Sequence, residues 1–206
     1  MARSAVHGRK THARAGLSPV VVPVAGTALL LIDVINDLAF DGAEAIVAQA
    51  ESMAAPLERL KRRATAAGVP AIYINDNFGQ WRSDFRRTVA HCTARSSPGH
   101  LVSRRLRPTA RDYFVLKPKH SGFFDTTLDT LLEALRIRRV ILTGIAGNIC
   151  VLFTANDAYM RDYKLHIPAD CVASNTDESN ERALQIMQRA LKADTTPSTE
   201  LDLNAL

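Results

Sequence analysis

The chain has 206 residues, 47% hydrophobic and 23% charged, with a formal net charge of +5. That balance supports one compact domain with its own core and excludes a collagenous or wholly disordered chain. The longest apolar runs, residues 28–32 and 149–153, fall far short of the ~20 residues of a membrane-spanning helix.

The charge is unevenly placed. Residues 1–26 carry Arg3, Arg9, Lys10 and Arg14 and no acid, so the remainder is almost neutral. A pI near 9.4 therefore reports the extension, and nucleic acid is not an expected partner. Residues 1–26 show no periodicity and read as a flexible basic extension; residues 27–206 read as a single α/β domain.

The elements of that domain follow in order. Thr27–Ile32 is a short apolar run and predicts a buried strand. Residues 43–67, rich in Ala, Leu, Glu and Arg, predict a helix with a kink at Pro56, ended by Gly68. Residues 69–75 predict a second strand. Residues 76–108 are the least regular, with a short helix over 84–94. Residues 113–116 predict a third strand, 127–135 a helix, and 139–143 a fourth strand. A helix over 150–161, a fifth strand over 164–168 and a long helix over 178–192 complete the body. Unbroken apolar strands alternating with helices predict a parallel sheet covered on both faces, a three-layer α/β/α domain.

In such sheets ligands bind beyond the carboxyl ends of the strands, where the strand order reverses. Asp33 follows the first strand, and Asn75, Asp76 and Asn77 close the second. Lys117, then Pro118, Lys119 and His120, follows the third. The fourth leads through Gly144 and Gly147 to Cys150 at the start of a helix. A carboxylate, an ammonium and a thiol thus stand at three strand ends. A helix N-terminus and a nearby ammonium favour a thiolate. A carboxylate in reach takes the thiol proton and returns it to a leaving nitrogen. Glycines at 144 and 147 let backbone amides turn toward an oxyanion. Each residue also has a plainer reading: a buried cysteine, a capping aspartate, a solvated lysine. Neither G-x-G-x-x-G nor G-x-x-x-x-G-K-[ST] occurs, so no dinucleotide or P-loop site is expected.

Cys92, Cys150 and Cys171 are odd in number and widely spaced, which argues against a disulfide framework or a zinc knuckle and points to a cytoplasmic location.

Three stretches carry a resemblance: LLLIDVINDLAF (residues 29–40), LKPKHSGFFDTTLDTLL (116–132) and TGIAGNICVLFTANDAYMRDYKLHIPADCV (143–172). Together they resemble the isochorismatase-like cysteine hydrolase superfamily, which includes nicotinamidases, N-carbamoylsarcosine amidohydrolase-like enzymes and ureidoacrylate amidohydrolases. The resemblance spans about residues 27–193. It implies a Rossmann-like α/β/α fold with a mostly parallel six-stranded sheet. It also implies a catalytic triad of Asp33, Lys117 and Cys150, a cis peptide between Ile145 and Ala146, and an oxyanion hole of the Ala146 and Cys150 backbone N–H groups. Lys119 competes with Lys117, but the residue directly before Pro matches the family pattern better.

There are departures from the family. Gly147 stands where many relatives have Thr, Ile35 replaces a common Gln, and Leu38 a common Phe. Nicotinamidases of the family carry an Asp and His metal cluster after the second strand; here Asp76 is present but no His follows it until His91. No metal and no cofactor are expected, and nicotinamide is not favoured as substrate. True isochorismatases lack the cysteine, so Cys150 favours hydrolysis of an amide-like or ureido C–N bond in a small molecule through an acyl-enzyme. The alternatives are a non-catalytic ligand-binding relative and a vinyl-ether hydrolase. Phe40, Asn77, Trp81 and Phe123 are the candidate pocket residues, Phe40 and Phe123 having core positions as their other reading. His120 reads as structural, and a homo-oligomer is expected.

Overall fold

The structure, a computed structural model, describes residues 26–79 and 84–205. The basic extension and Trp81 lie outside the described residues. A six-stranded sheet forms from β1 (Thr27–Ile32), β2 (Ala71–Asp76), β3 (Tyr113–Lys117), β4 (Arg139–Ile145), β5 (Lys164–His166) and β6 (Val172–Ala173). The order is β3-β2-β1-β4-β5, with β6 on the far half of β4, and every pairing is parallel.

Side chains alternate across the sheet, as strand geometry requires. Leu29, Leu31, Tyr73 and Ile141 face one layer, and Ala28, Leu30, Ile32, Ile72, Ile74 and Leu142 the other. The first layer holds α1 (Glu44–Ala66), α2 (Phe85–Cys92) and α3 (His100–Arg105). The second holds α4 (Leu128–Ala134), α5 (Leu152–Tyr159) and α6 (Asp177–Ala190). On α1 the buried residues Ile46, Ala50, Met53, Leu57, Leu60 and Ala64 recur every three or four positions, one apolar stripe against the sheet. The helix runs through Pro56 and stops at Gly68, whose φ of +73° suits a residue without Cβ.

Beyond shifts of a residue or two at element ends, the structure departs from the sequence expectations as follows. α3 lies inside the stretch read as irregular, and β6 has only two residues, too few for a period-two pattern. β4 runs two residues further, to Ile145. The helix expected from residue 150 begins earlier, in a π-turn over Gly147–Val151 in which Cys150 is the fourth residue. Among the described residues no helix is long and apolar enough to cross a membrane.

Strand succession reverses at β1: β2 and β3 add on one side, β4 and β5 on the other. The crevice beyond the carboxyl ends of β1 and β4 is therefore the topological switch point.

Candidate active site

Strand register sets the site. Ile32 pairs with Ile74 and Gly144, and Asp76 with Lys117, so four strand tips end within two residues of one another. Asp33 leaves β1 with a φ of +51°, a left-handed conformation that aspartate tolerates better than most residues. Its Oδ1 accepts the Asp76 N–H at 2.7 Å, and its Oδ2 lies 2.9 Å from the Lys117 ammonium. Lys117 is fully buried, and its Nζ also lies 3.6 Å from Asp76 Oδ2 and 3.5 Å from Cys150 Sγ. The three residues read as chemistry-bearing from the sequence thus meet around one sulfur.

Charge in this cluster decides where the protons rest. Burial lifts the Asp33 carboxyl above its ordinary value, with the Lys117 ammonium and the hydrogen bonds from Lys117, Cys150 and the Asp76 N–H pulling back. Burial pulls the Lys117 ammonium down, but Asp33, Cys150 and Asp76 outweigh it and the net shift is upward. Burial and the Asp33 charge push the Cys150 thiol up to about 12, against the pull of Lys117. Burial and the Asp33 charge thus oppose the thiolate that the helix terminus and the ammonium favour. One ammonium against two carboxylates already leaves an excess of negative charge, and losing the thiol proton to water would deepen it. Passing that proton from sulfur to Asp33 keeps the cluster charge constant.

The turn that carries Cys150 is held by main-chain proximity. The Ile145–Ala146 peptide is cis. A Cβ on Gly144, at φ +109°, would stand 2.0 Å from the Ile32 carbonyl oxygen. Gly147 is pressed against Asn180 Oδ1, Val172 and Ser174 Oγ, where a Cβ would come within 2.4, 2.7 and 2.9 Å. The Ser174 hydroxyl accepts the Asn148 N–H at 3.1 Å and donates to Asn180 Oδ1 at 3.0 Å. These contacts account for a glycine at 147: the space a larger side chain would need is filled by Ser174 and Asn180.

The segment after β3 is pinned to α5. Ser121 Oγ donates to Asp157 Oδ2 at 2.5 Å, and the Gly122 N–H to Thr154 Oγ1 at 3.0 Å. His120 is exposed, with Nδ1 4.0 Å from Cys150 Sγ and its ring 5.5 Å from that of Phe153. The sequence reading as structural missed its nearness to the sulfur; no spacing rule connects residues 120 and 150. It also missed Asp76 as a partner of Lys117, which follows from their register once β2 and β3 pair.

Of the candidate pocket residues, Phe40 is exposed on the loop after β1, and Asn77 is half-buried at the end of β2. Phe123 is buried in the second core layer, its ring beneath the Arg161 guanidinium at 4.7 Å and beside Tyr163. Its neighbour Phe124 is the exposed one. Beside the sulfur, Ile149 precedes Cys150 in the same turn and Phe153 lies against His120, each more than a third exposed. Among the described residues no group of three His, Cys, Asp or Glu side chains could hold a metal ion.

A family model described as Isochorismatase domain matches residues 27–199. The isochorismatase family protein YaaI of Bacillus subtilis is 46% identical over 177 residues, covering 86% of this chain and 97% of YaaI. The ureidoacrylate amidohydrolase RutB of Yersinia enterocolitica is 31% identical over 170 residues, covering 70% of this chain and 74% of RutB. Among solved structures, the N-carbamoylsarcosine amidase of Thermoplasma acidophilum superposes with a TM-score of 0.65 at 26% identity, over 85% of this chain and 98% of the amidase.

Proposed function

Because the chain belongs to the isochorismatase family of hydrolases and is related to amidohydrolases, we propose that it cleaves an amide-like or ureido C–N bond of a small molecule, with Cys150 as nucleophile. Asp33 is the base, Lys117 the charge that holds both, and the backbone N–H groups of Ala146 and Cys150 the oxyanion donors.

The chemistry follows from the charge arrangement. As sulfur bonds to the carbonyl carbon, its proton passes to Asp33 Oδ2 and the carbonyl electron pair moves to oxygen. Removing one preorganised oxyanion donor typically costs about 100- to 1000-fold in rate. The oxyanion collapses, the C–N bond breaks, and the nitrogen leaves with the proton held by Asp33. Water then cleaves the thioester and restores the thiol. Lys117 stays charged throughout, so each state of the sulfur meets the same ammonium.

The observation that carries this reading is the contact of one buried ammonium with both Asp33, at 2.9 Å, and Cys150, at 3.5 Å. A panel of amides and ureides assayed for ammonia release tests it, with Cys150→Ala beside the native protein. Turnover in the native protein and none in the variant supports the proposal; full turnover in the variant rejects the thiol mechanism. A homo-oligomer belongs to the same reading, and light scattering on a sizing column checks it.

A further inference from the structure

Resting on the acyl-enzyme reading above, we propose that His120 is a second proton-handling residue of the site and serves the step in which water cleaves the thioester.

The sulfur has two unlike sides. On the inner side stand Asp33 and Lys117, both buried, with Asp76 behind them. There the Asp33 carboxylate accepts from the Asp76 N–H, the Lys117 ammonium and the Cys150 thiol. On the outer side stands the exposed His120, with Nδ1 4.0 Å from Sγ. Its ring lies against Phe153, and the loop that bears it is fixed to α5 through Ser121–Asp157 and Gly122–Thr154. The imidazole is thus presented by an anchored segment.

The two half-reactions place different demands on these sides. In acylation the proton begins on sulfur, where Asp33 receives it. In deacylation it begins on a water, and that water comes from solvent, on the side of the acyl group facing the opening. Lys117 cannot serve as base, because its partners keep it charged. Asp33 lies below the thioester sulfur. At 4.0 Å from Sγ, Nδ1 stands at the outer limit of a contact with sulfur, and in the proposed step it reaches a water on the acyl group that the sulfur carries.

The step balances. Neutral imidazole takes one proton from water as the water oxygen bonds to the thioester carbonyl carbon. The tetrahedral oxyanion collapses, the C–S bond breaks, and sulfur leaves with the electron pair. The imidazolium returns the proton to sulfur, giving free thiol, neutral imidazole and a carboxylic acid.

p-Nitrophenyl acetate is the probe, since its leaving group needs no proton and isolates deacylation as the steady-state rate. The native protein shows a burst of nitrophenolate followed by turnover. His120→Ala keeps the rate and size of the burst, loses about 100-fold or more in steady-state rate, and accumulates acetylated Cys150 on intact mass measurement. His120→Phe, which keeps a ring against Phe153, loses as much, and free imidazole restores turnover in His120→Ala. Unchanged turnover in either variant, or a burst lost together with turnover, overturns the role of His120 alone. The absence of a burst in the native protein, or a burst preserved in Cys150→Ala, overturns the cysteine reading and this inference with it.

Discussion

The Lys117 ammonium lies 3.5 Å from the Cys150 sulfur, although the lysine ends the edge strand β3 and the cysteine follows β4, with β2 and β1 between them. The lysine crosses that gap under the tips of the intervening strands and meets Asp76 and Asp33 on its way.

This arrangement separates nucleophilicity from turnover. Asp33 raises the Cys150 thiol and Lys117 lowers it. Asp33→Asn is therefore expected to speed alkylation of Cys150 by iodoacetamide at pH 7 while abolishing hydrolysis. Lys117→Met should slow alkylation as well as hydrolysis. Alkylation rates followed by mass spectrometry across pH 6–9 check both signs; faster alkylation in both variants would reject the charge assignment.

The acid limit of activity follows from Asp33. Its folded-state value is raised by burial, and the base must be ionised to accept a proton. Hydrolysis should therefore fall as pH drops through a midpoint above 3.8, the ordinary value for an aspartate. The kcat/KM profile of the native protein locates that midpoint, and a limb at or below the ordinary value contradicts the burial argument.

Lys117→Met also leaves two carboxylates facing each other without a counter-ion. Breaking a buried ion pair typically costs about 3–5 kcal/mol. The loss should shrink at lower pH, where protonation of Asp33 removes the repulsion. Urea unfolding at pH 8 and at pH 5 measures the difference, and an equal loss at both values would place the cost elsewhere.

Gly147→Ala inserts a methyl group against Asn180, Val172 and Ser174. Overpacking of this kind costs about 1–3 kcal/mol. A lower urea midpoint is expected, together with reduced hydrolysis because the same turn carries Cys150. Ser174→Ala in the Gly147→Ala background should return part of the stability, since it removes one of the crowding atoms.

Much of this was legible in the residues. β1, β2 and β4 are mostly apolar runs that have no solvent face to interrupt them, Asp33 directly follows the first, and Lys117 closes β3. The less visible parts depend on atoms far apart in the chain. β6 exists because its two residues meet the far half of β4. Asp76 becomes a partner of Lys117 only through the β2–β3 register. The raised thiol runs against a local expectation: the helix terminus favours a thiolate, while burial and the carboxylate at the neighbouring tip oppose it.

Gly144 carries one more consequence. Because no side-chain atom fits between it and the Ile32 carbonyl, main chain alone gauges the span from the strand bearing the carboxylate to the loop bearing the thiol. Repacking of either hydrophobic layer leaves that gauge in place. The distance between the two tips is accordingly a property of the backbone rather than of side-chain fit.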